Sequence, residues 1–186
     1  MKFETTTLKD AVLIQLEPRR DERGFFARTY CRKEFAEAGL ETDFVQGNVS
    51  VNPAKGTLRG LHFQRTPHEE VKVVRCISGA IYDVIVDLRP SSSSYLKWQG
   101  FELTAENGLQ LYVPRGFAHG FLTLCEQAAV AYQVSAYYTP GAEGGLRWND
   151  PRFRIEWPAD AAVVSPKDAA WPDFSPEHWE ATTCSS

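Results

Sequence analysis

Gly108-Leu109-Gln110-Leu111-Tyr112-Val113-Pro114-Arg115-Gly116-Phe117-Ala118-His119 sets a strand-like apolar run against an abrupt stop. The run from Leu109 to Val113 ends at Pro114, Gly116 permits a tight turn, and His119 leads back into the apolar Phe121-Leu122. Proline fixes one backbone angle and glycine reaches conformations that other residues avoid, so the position of the histidine is closely set. A second histidine has a similar setting, in Leu58-Arg59-Gly60-Leu61-His62-Phe63-Gln64. Two imidazoles on strands, each beside a glycine, suggest a pocket built for proton transfer or for metal.

Outward from these segments the chain repeats one pattern: short β-rich runs punctuated by Gly, Pro, Asn and Ser. Strands are expected at 11–16, 25–30, 44–51, 56–64, 71–77, 80–88, 97–103, 109–113, 120–124 and 128–138. Within 80–88, Ile81-Tyr82-Asp83-Val84-Ile85-Val86-Asp87 is rich in β-branched residues and alternates acid with aliphatic on one side, which is strand chemistry. Only 32–38 reads as a helix. About ten short strands at such spacing imply an all-β sandwich or barrel with its edges closed or covered. From Thr139 onward the chain is rich in Gly, Pro, Asp and Trp, so 139–186 reads as irregular loops that lie across the barrel mouth as a lid or wall. Ser91 to Ser94 reads as a simple loop.

At 186 residues the chain suits one domain. It is 43% hydrophobic and 24% charged, the composition of an ordinary globular protein. A formal net charge of −4 and the lack of a dense Lys/Arg run argue against nonspecific nucleic-acid binding. Met1 to Lys9 lack the basic start and apolar core of a signal peptide, and no stretch has the apolar length of a membrane span. Cys31, Cys76, Cys125 and Cys184 are scattered without a CxxC pair, which reads as free thiols in a cytoplasmic protein.

Strand parity groups the polar candidates. His62 and Gln64 face one side of their strand. Val130, Tyr132, Val134, Ala136 and Tyr138 share a face, which projects two tyrosines the same way. Lys72 shares parity with Val74 and Cys76; a lysine facing an apolar interior is costly unless it meets an anion or oxyanion. Asp83 and Arg75 read as a structural pair on neighbouring strands. Taken singly, each polar residue fits ordinary packing. It is their coincidence on otherwise apolar strands that argues for a site. Gly56-x5-His62 and Gly108-x5-Pro114-x-Gly116-x2-His119 resemble the two cupin motifs, yet metal-binding cupins place a second histidine where this chain has Gln64. An amide is a poor transition-metal ligand, so an acid–base site is expected over a metal site.

Longer motifs identify the chain with a family. Asp21-Glu22-Arg23-Gly24-Phe25-Phe26, Leu58 to Gln64, Lys72-Val73-Val74-Arg75-Cys76 and Pro114 to Phe121 resemble the dTDP-4-keto-6-deoxyglucose 3,5-epimerases. So do Tyr137-Tyr138-Thr139-Pro140, Trp148-Asn149-Asp150-Pro151, Ile155-Glu156-Trp157-Pro158 and Ser165-Pro166-Lys167-Asp168, all in sequence order. The resemblance implies a metal-free, cofactor-free cupin jelly roll and a homodimer whose N-terminal strands, about 1–30, cross to the partner. It implies a nucleotide-diphosphate 4-keto-6-deoxy sugar as substrate. By resemblance His62 is the base, Asp168 its carboxylate, Tyr132 the acid and Lys72 the stabiliser of the enolate oxygen. His119, Arg59, Gln46 and Asn48 are implied substrate contacts. Arg23 and Phe26 of the partner, with Tyr138, are implied to hold the nucleotide.

Two departures stand out. Arg28 occupies the place of a family glutamate that can accept the imide N–H of thymine, and an arginine carries donors only. CDP or GDP is therefore an alternative nucleotide. Gln46-Gly47-Asn48-Val49-Ser50 replaces Gln-Asp-Asn-His-Ser, which leaves epimerisation at a single carbon as a second alternative. From other classes, a metal-dependent cupin oxygenase or isomerase and a noncatalytic sugar-nucleotide binder are the rivals.

Overall fold

The computed structural model describes residues 1–176 and builds them as two antiparallel sheets packed face to face, the jelly-roll arrangement. The first sheet runs in the order β1 (Lys2–Thr5), β2 (Val12–Gln15), β10 (Leu109–Val113), β7 (Lys72–Ser78), β12 (Ala128–Val134), β5 (Gln46–Asn52). The second runs β13 (Glu143–Gly145), β6 (Thr57–Gln64), β11 (Phe117–Thr123), β8 (Ala80–Asp87), β9 (Trp98–Thr104), and β14 (Val163–Val164) joins β6 in parallel. β3 (Arg19–Asp21) and β4 (Gly24–Phe26) form a separate two-stranded hairpin. The helices are short: α1 (Arg32–Glu37) and α2 (Pro166–Ala169).

Alternation along the strands sorts the side chains into three apolar layers. Val74, Cys76, Ile81, Ile85, Leu103, Leu111, Phe117, Phe121 and Val130 fill the space between the sheets. The outer face of the first sheet is covered by α1, where Phe35 packs edge-on against Phe3, Tyr30 and Phe44. The outer face of the second is covered by the C-terminal stretch, through Leu146, Phe153, Ile155, Trp157 and Phe174. Each fully buried aliphatic side chain contributes about 1.5–3 kcal/mol through burial.

Most expected strands form close to the expected bounds, with differences that have local causes. The strand expected at 25–30 closes after Phe26, because Tyr30 turns inward to donate its hydroxyl to the Thr42 carbonyl oxygen at 2.5 Å and to pack on Phe35. The strand expected at 128–138 ends at Val134, leaving Tyr137 and Tyr138 exposed beyond it. The strand expected at 120–124 begins at Phe117, so His119 lies inside it. The segment after Thr139 is less irregular than expected: it adds β13 and β14 to β6 and folds α2 against it. Cys31, Cys76 and Cys125 are free thiols, whereas Cys184 lies outside the described residues.

Two of the inward acids on β8 are fully buried, and each has its own solution. Asp83 is paired with a histidine, described below. Asp87 sits at the far end under the serine loop. Its carboxylate receives Arg89 Nε at 2.9 Å and Nη2 at 2.8 Å, together with the hydroxyls of Ser92 and Ser94 at 2.5 and 2.6 Å. Burial works to raise the pKa of Asp87, but these donors outweigh it and hold the group below the usual carboxylate range. Its contribution to stability is therefore complete above the unfolded value of about 4 and is lost as pH falls through the lower folded value. Asp87→Asn should cost about 3 kcal/mol in urea unfolding at neutral pH. The loss of stability on acidification below about pH 4 should be shallower in the variant than in the parent.

Candidate active site

The site is assembled where β6 and β11 come unusually close. A Cβ on Gly60 would stand 2.6 Å from the Gly120 Cα and 2.8 Å from the His119 carbonyl oxygen. One on Gly120 would stand 2.7 Å from the Arg59 carbonyl oxygen. Gly60 also has φ +118°, outside the range comfortable for other residues. The register shifts between His119 and Phe121, and this irregularity sets His119 directly opposite His62.

Each imidazole is backed by a carboxylate. His62 Nε2 lies 2.6 Å from Asp168 Oδ1, and the other Asp168 oxygen accepts the backbone N–H of Gly60 at 3.2 Å. Asp168 rides on α2, whose first turn is capped by Ser165 Oγ accepting from the Asp168 N–H at 3.0 Å. Burial tends to raise the pKa of Asp168, yet His62 and the two N–H and hydroxyl contacts outweigh it and keep the group ionised. An imidazole donating Nε2–H to that carboxylate presents Nδ1 as its basic atom. His119 Nε2 lies 2.9 Å from Asp83 Oδ2 and 3.1 Å from Oδ1. Asp83 is therefore the partner of His119 rather than of Arg75, which corrects the expected Asp83–Arg75 pair. The two acids alternating inward on β8 carried that signal.

Two adjoining cavities, of about 240 and 350 Å³, share His62, Lys72 and Tyr132 in their walls. The smaller is completed by Gln46, Asn48, Glu70, Tyr138, Glu143 and Lys167; the larger by Val49, Ser50, Arg59, His119 and Phe121. His62 comes from the second sheet, whereas Lys72 and Tyr132 come from the first, so they face one another across the opening. Burial, with Glu70 nearby, raises the pKa of Tyr132 and keeps its phenol protonated. Lys72 does meet an anion: its Nζ lies 2.9 Å from Glu70 Oε1, and both side chains are 11% exposed.

The remaining candidates hold definite posts. Arg59 Nε donates to Asn52 Oδ1 at 2.7 Å, and Asn52 is anchored in turn on the Ala128 carbonyl oxygen. Gln46 accepts the Tyr138 N–H at 2.7 Å. Gln64 is buried, its amide NH₂ donating to the Tyr137 and His68 carbonyl oxygens while its Oε1 accepts the Thr139 N–H. It is a strut rather than a ligand. Among the described residues no cluster of three or more His, Cys, Asp or Glu side chains is arranged to hold a metal ion. Arg23, Phe26 and Arg28 lie apart from these cavities, on or beside the hairpin, where Phe26 is 72% exposed. Arg23 pairs with Asp21, and Arg28 with Glu34 at 2.8 Å. Glu70, Asp83, Glu143 and Lys167 had no place in the expected site. Lys167 Nζ and Glu143 Oε2, 2.6 Å apart, tie α2 to β13 at the rim.

A family model described as dTDP-4-dehydrorhamnose 3,5-epimerase matches residues 5–176. A dTDP-4-dehydrorhamnose 3,5-epimerase of Salmonella typhimurium is 44% identical over 169 residues, covering 90% of this chain and 92% of its own. The crystal structure of the Elizabethkingia anophelis enzyme of that name superposes with a TM-score of 0.90 at 44% identity, covering 94% of this chain and 96% of the other. That of Bacillus anthracis, with TDP and PPi bound, gives a TM-score of 0.90 at 43% identity, covering 93% and 99%.

The close approach of β6 and β11 admits no side chain at Gly120. Gly120→Ala should lower stability by about 1–3 kcal/mol through overpacking, read as a shifted urea midpoint with an unchanged slope. A midpoint equal to the parent's would mean that the two strands yield without strain.

Proposed function

The chain belongs to the dTDP-4-dehydrorhamnose 3,5-epimerase family, and on that premise we propose that it epimerises a dTDP-linked 4-keto-6-deoxyhexose at C3 and C5 in deoxysugar biosynthesis. The observation that carries the reading is the His62–Asp168 dyad facing Tyr132 and Lys72 from the opposite sheet.

A C–H beside a ketone is acidic because the electron pair left behind delocalises onto the carbonyl oxygen. His62 Nδ1 takes that proton, the pair moves into the ring as an enolate, and the charge arrives at the C4 oxygen beside Lys72. Tyr132 returns its phenolic proton to the opposite face of the carbon, and solvent then restores both groups. The imidazolium that forms on His62 is stabilised by Asp168, the same role a carboxylate plays behind other catalytic imidazoles. His119, held by Asp83, and Arg59, held by Asn52, serve as fixed hydrogen-bond donors to the sugar or diphosphate. Gln46 and Asn48 line the same opening from β5.

No metal or cofactor enters this scheme. Gln64, at the position where a metal-binding cupin needs a ligand, is committed to backbone groups, and the carboxylate on each imidazole Nε2 leaves Nδ1 as the basic atom that acid–base work requires. The nucleotide reading favours dTDP, in line with the TDP held by the B. anthracis relative. Arg28 turns its guanidinium to Glu34 of its own chain, which removes the motive for a cytosine or guanine reader. The exposed Phe25, Phe26 and Arg23 of the β3–β4 hairpin suit an element that completes the nucleotide site of a second copy, giving a homodimer. A protein that sediments as a monomer at full activity would sink that arrangement.

Proton NMR in D₂O with the dTDP-4-keto-6-deoxy sugar reports the chemistry carbon by carbon. The parent protein, dialysed against chelator, should exchange the protons at C3 and C5. His62→Ala should abolish exchange at both, and Tyr132→Phe should retain some exchange while losing about 10²–10⁴-fold in epimer formation. Near-full activity in His62→Ala would overturn the base assignment, loss of activity on chelation would overturn the metal-free scheme, and exchange at one carbon alone would restrict the reaction to it.

A further inference from the structure

Of the two carboxylates in the smaller cavity, neither of which has a task in the proposed chemistry, Glu70 is the one paired with a residue of that chemistry. It lies two residues before Lys72, just ahead of β7, and lines the cavity beside that lysine. Its Oε1 holds Lys72 Nζ at 2.9 Å, and its Oε2 is 3.4 Å from Gln64 Nε2, the amide already fixed on two backbone carbonyls. The other cavity carboxylate, Glu143, is neutralised by Lys167 at the rim. A nearly buried ion pair loses in desolvation much of what it gains in attraction, so stability alone is a weak reason for this one.

We propose, building on the epimerase reading, that Glu70 is a positioning residue of the reaction: its carboxylate anchors the Lys72 ammonium and so fixes where the developing oxyanion is met. An ammonium on a four-carbon stem has many rotamers, whereas a pre-set donor costs no reorganisation when charge arrives. With one N–H given to Glu70, Lys72 keeps two for the enolate oxygen. The chain of support runs from the Tyr137 and His68 carbonyl oxygens through the Gln64 amide to Glu70, its longest contact at 3.4 Å, and from Glu70 to Lys72. Glu70 also places negative charge near Tyr132, opposing loss of the phenolic proton, while Arg59 acts in the other direction. The charged and titratable groups that line the cavities with that phenol are Glu70 and Lys72 from β7 and its approach, Arg59 and His62 from β6, and His119 from β11. Glu143 and Lys167 stand as a closed pair on the far wall.

The test uses the full-length protein and Glu70→Gln, which keeps the shape and removes the charge, with Lys72→Ala and the double variant alongside. Glu70→Gln should lower kcat about tenfold with KM within about twofold, and the basic limb of its pH–rate profile should move to lower pH. In the Lys72→Ala background the same change should cost less than about twofold, because the effect passes through Lys72. A parental kcat and pH profile in Glu70→Gln, or a cost that adds in full to that of Lys72→Ala, would overturn the proposal. One readout is independent of turnover. The Lys72 ammonium should give a protected ¹H–¹⁵N signal in the parent that is lost in Glu70→Gln. Its absence from the parent would overturn the anchoring. Absence of solvent exchange into the sugar by the parent protein, with the protected signal present, would instead sink the epimerase reading and leave the anchoring in place.

Discussion

The contact on which the rest of the site depends is between two backbones, β6 and β11 at Gly60 and Gly120. Neither position has room for a side chain, and the bulge that follows lets His62 and His119 face each other directly. The Gly60 N–H in the same stretch is donated to Asp168 Oδ2, which helps pin that carboxylate for His62. One short stretch of β6 thus carries both His62, opposite His119, and an N–H that holds the carboxylate 106 residues further along the chain from that histidine.

Placing this many polar groups between two sheets is expensive, and the structure offsets the cost by pairing them. His62 has Asp168, His119 has Asp83, Lys72 has Glu70, and Arg59 has Asn52. Groups that would be ruinous alone become tolerable when each meets a partner of opposite charge or complementary hydrogen bonding. The pairing also separates roles by sheet. The proposed base and its carboxylate belong to the second sheet and its C-terminal wall, the proposed acid and lysine to the first, so a sugar ring between them would meet opposite chemistries on its two faces.

Much of this was legible in the sequence, for reasons that differ by residue. Strand parity correctly turned Lys72, Tyr132 and His62 toward a common interior, because a period of two leaves little freedom once one face is apolar. It also turns Asp83 inward but does not single out His119 over Arg75 as its partner: parity says which face a side chain takes, not which strand lies opposite. Asp168 could not be reached by pattern at all. It sits on a single helical turn far along the chain, and only the resemblance of Ser165-Pro166-Lys167-Asp168 to a family motif connected it to His62. Strands β1, β3, β13 and β14 are two to four residues long, too short for alternation to register.

Gln64 shows how a negative inference from sequence acquires a positive meaning in three dimensions. As an amide at a position where metal-binding cupins carry histidine, it argued only for what the site is not. In the fold it bridges the Tyr137, His68 and Thr139 backbones and reaches Glu70, which in turn holds Lys72. A neutral histidine there has one donor fewer than the amide and could not serve both carbonyl oxygens while accepting the Thr139 N–H. The residue that removes a metal ligand is therefore also the residue that ties the chain after β12 to the charged wall of the cavity. Exchanging it would disturb both the path of that chain and the footing of the lysine.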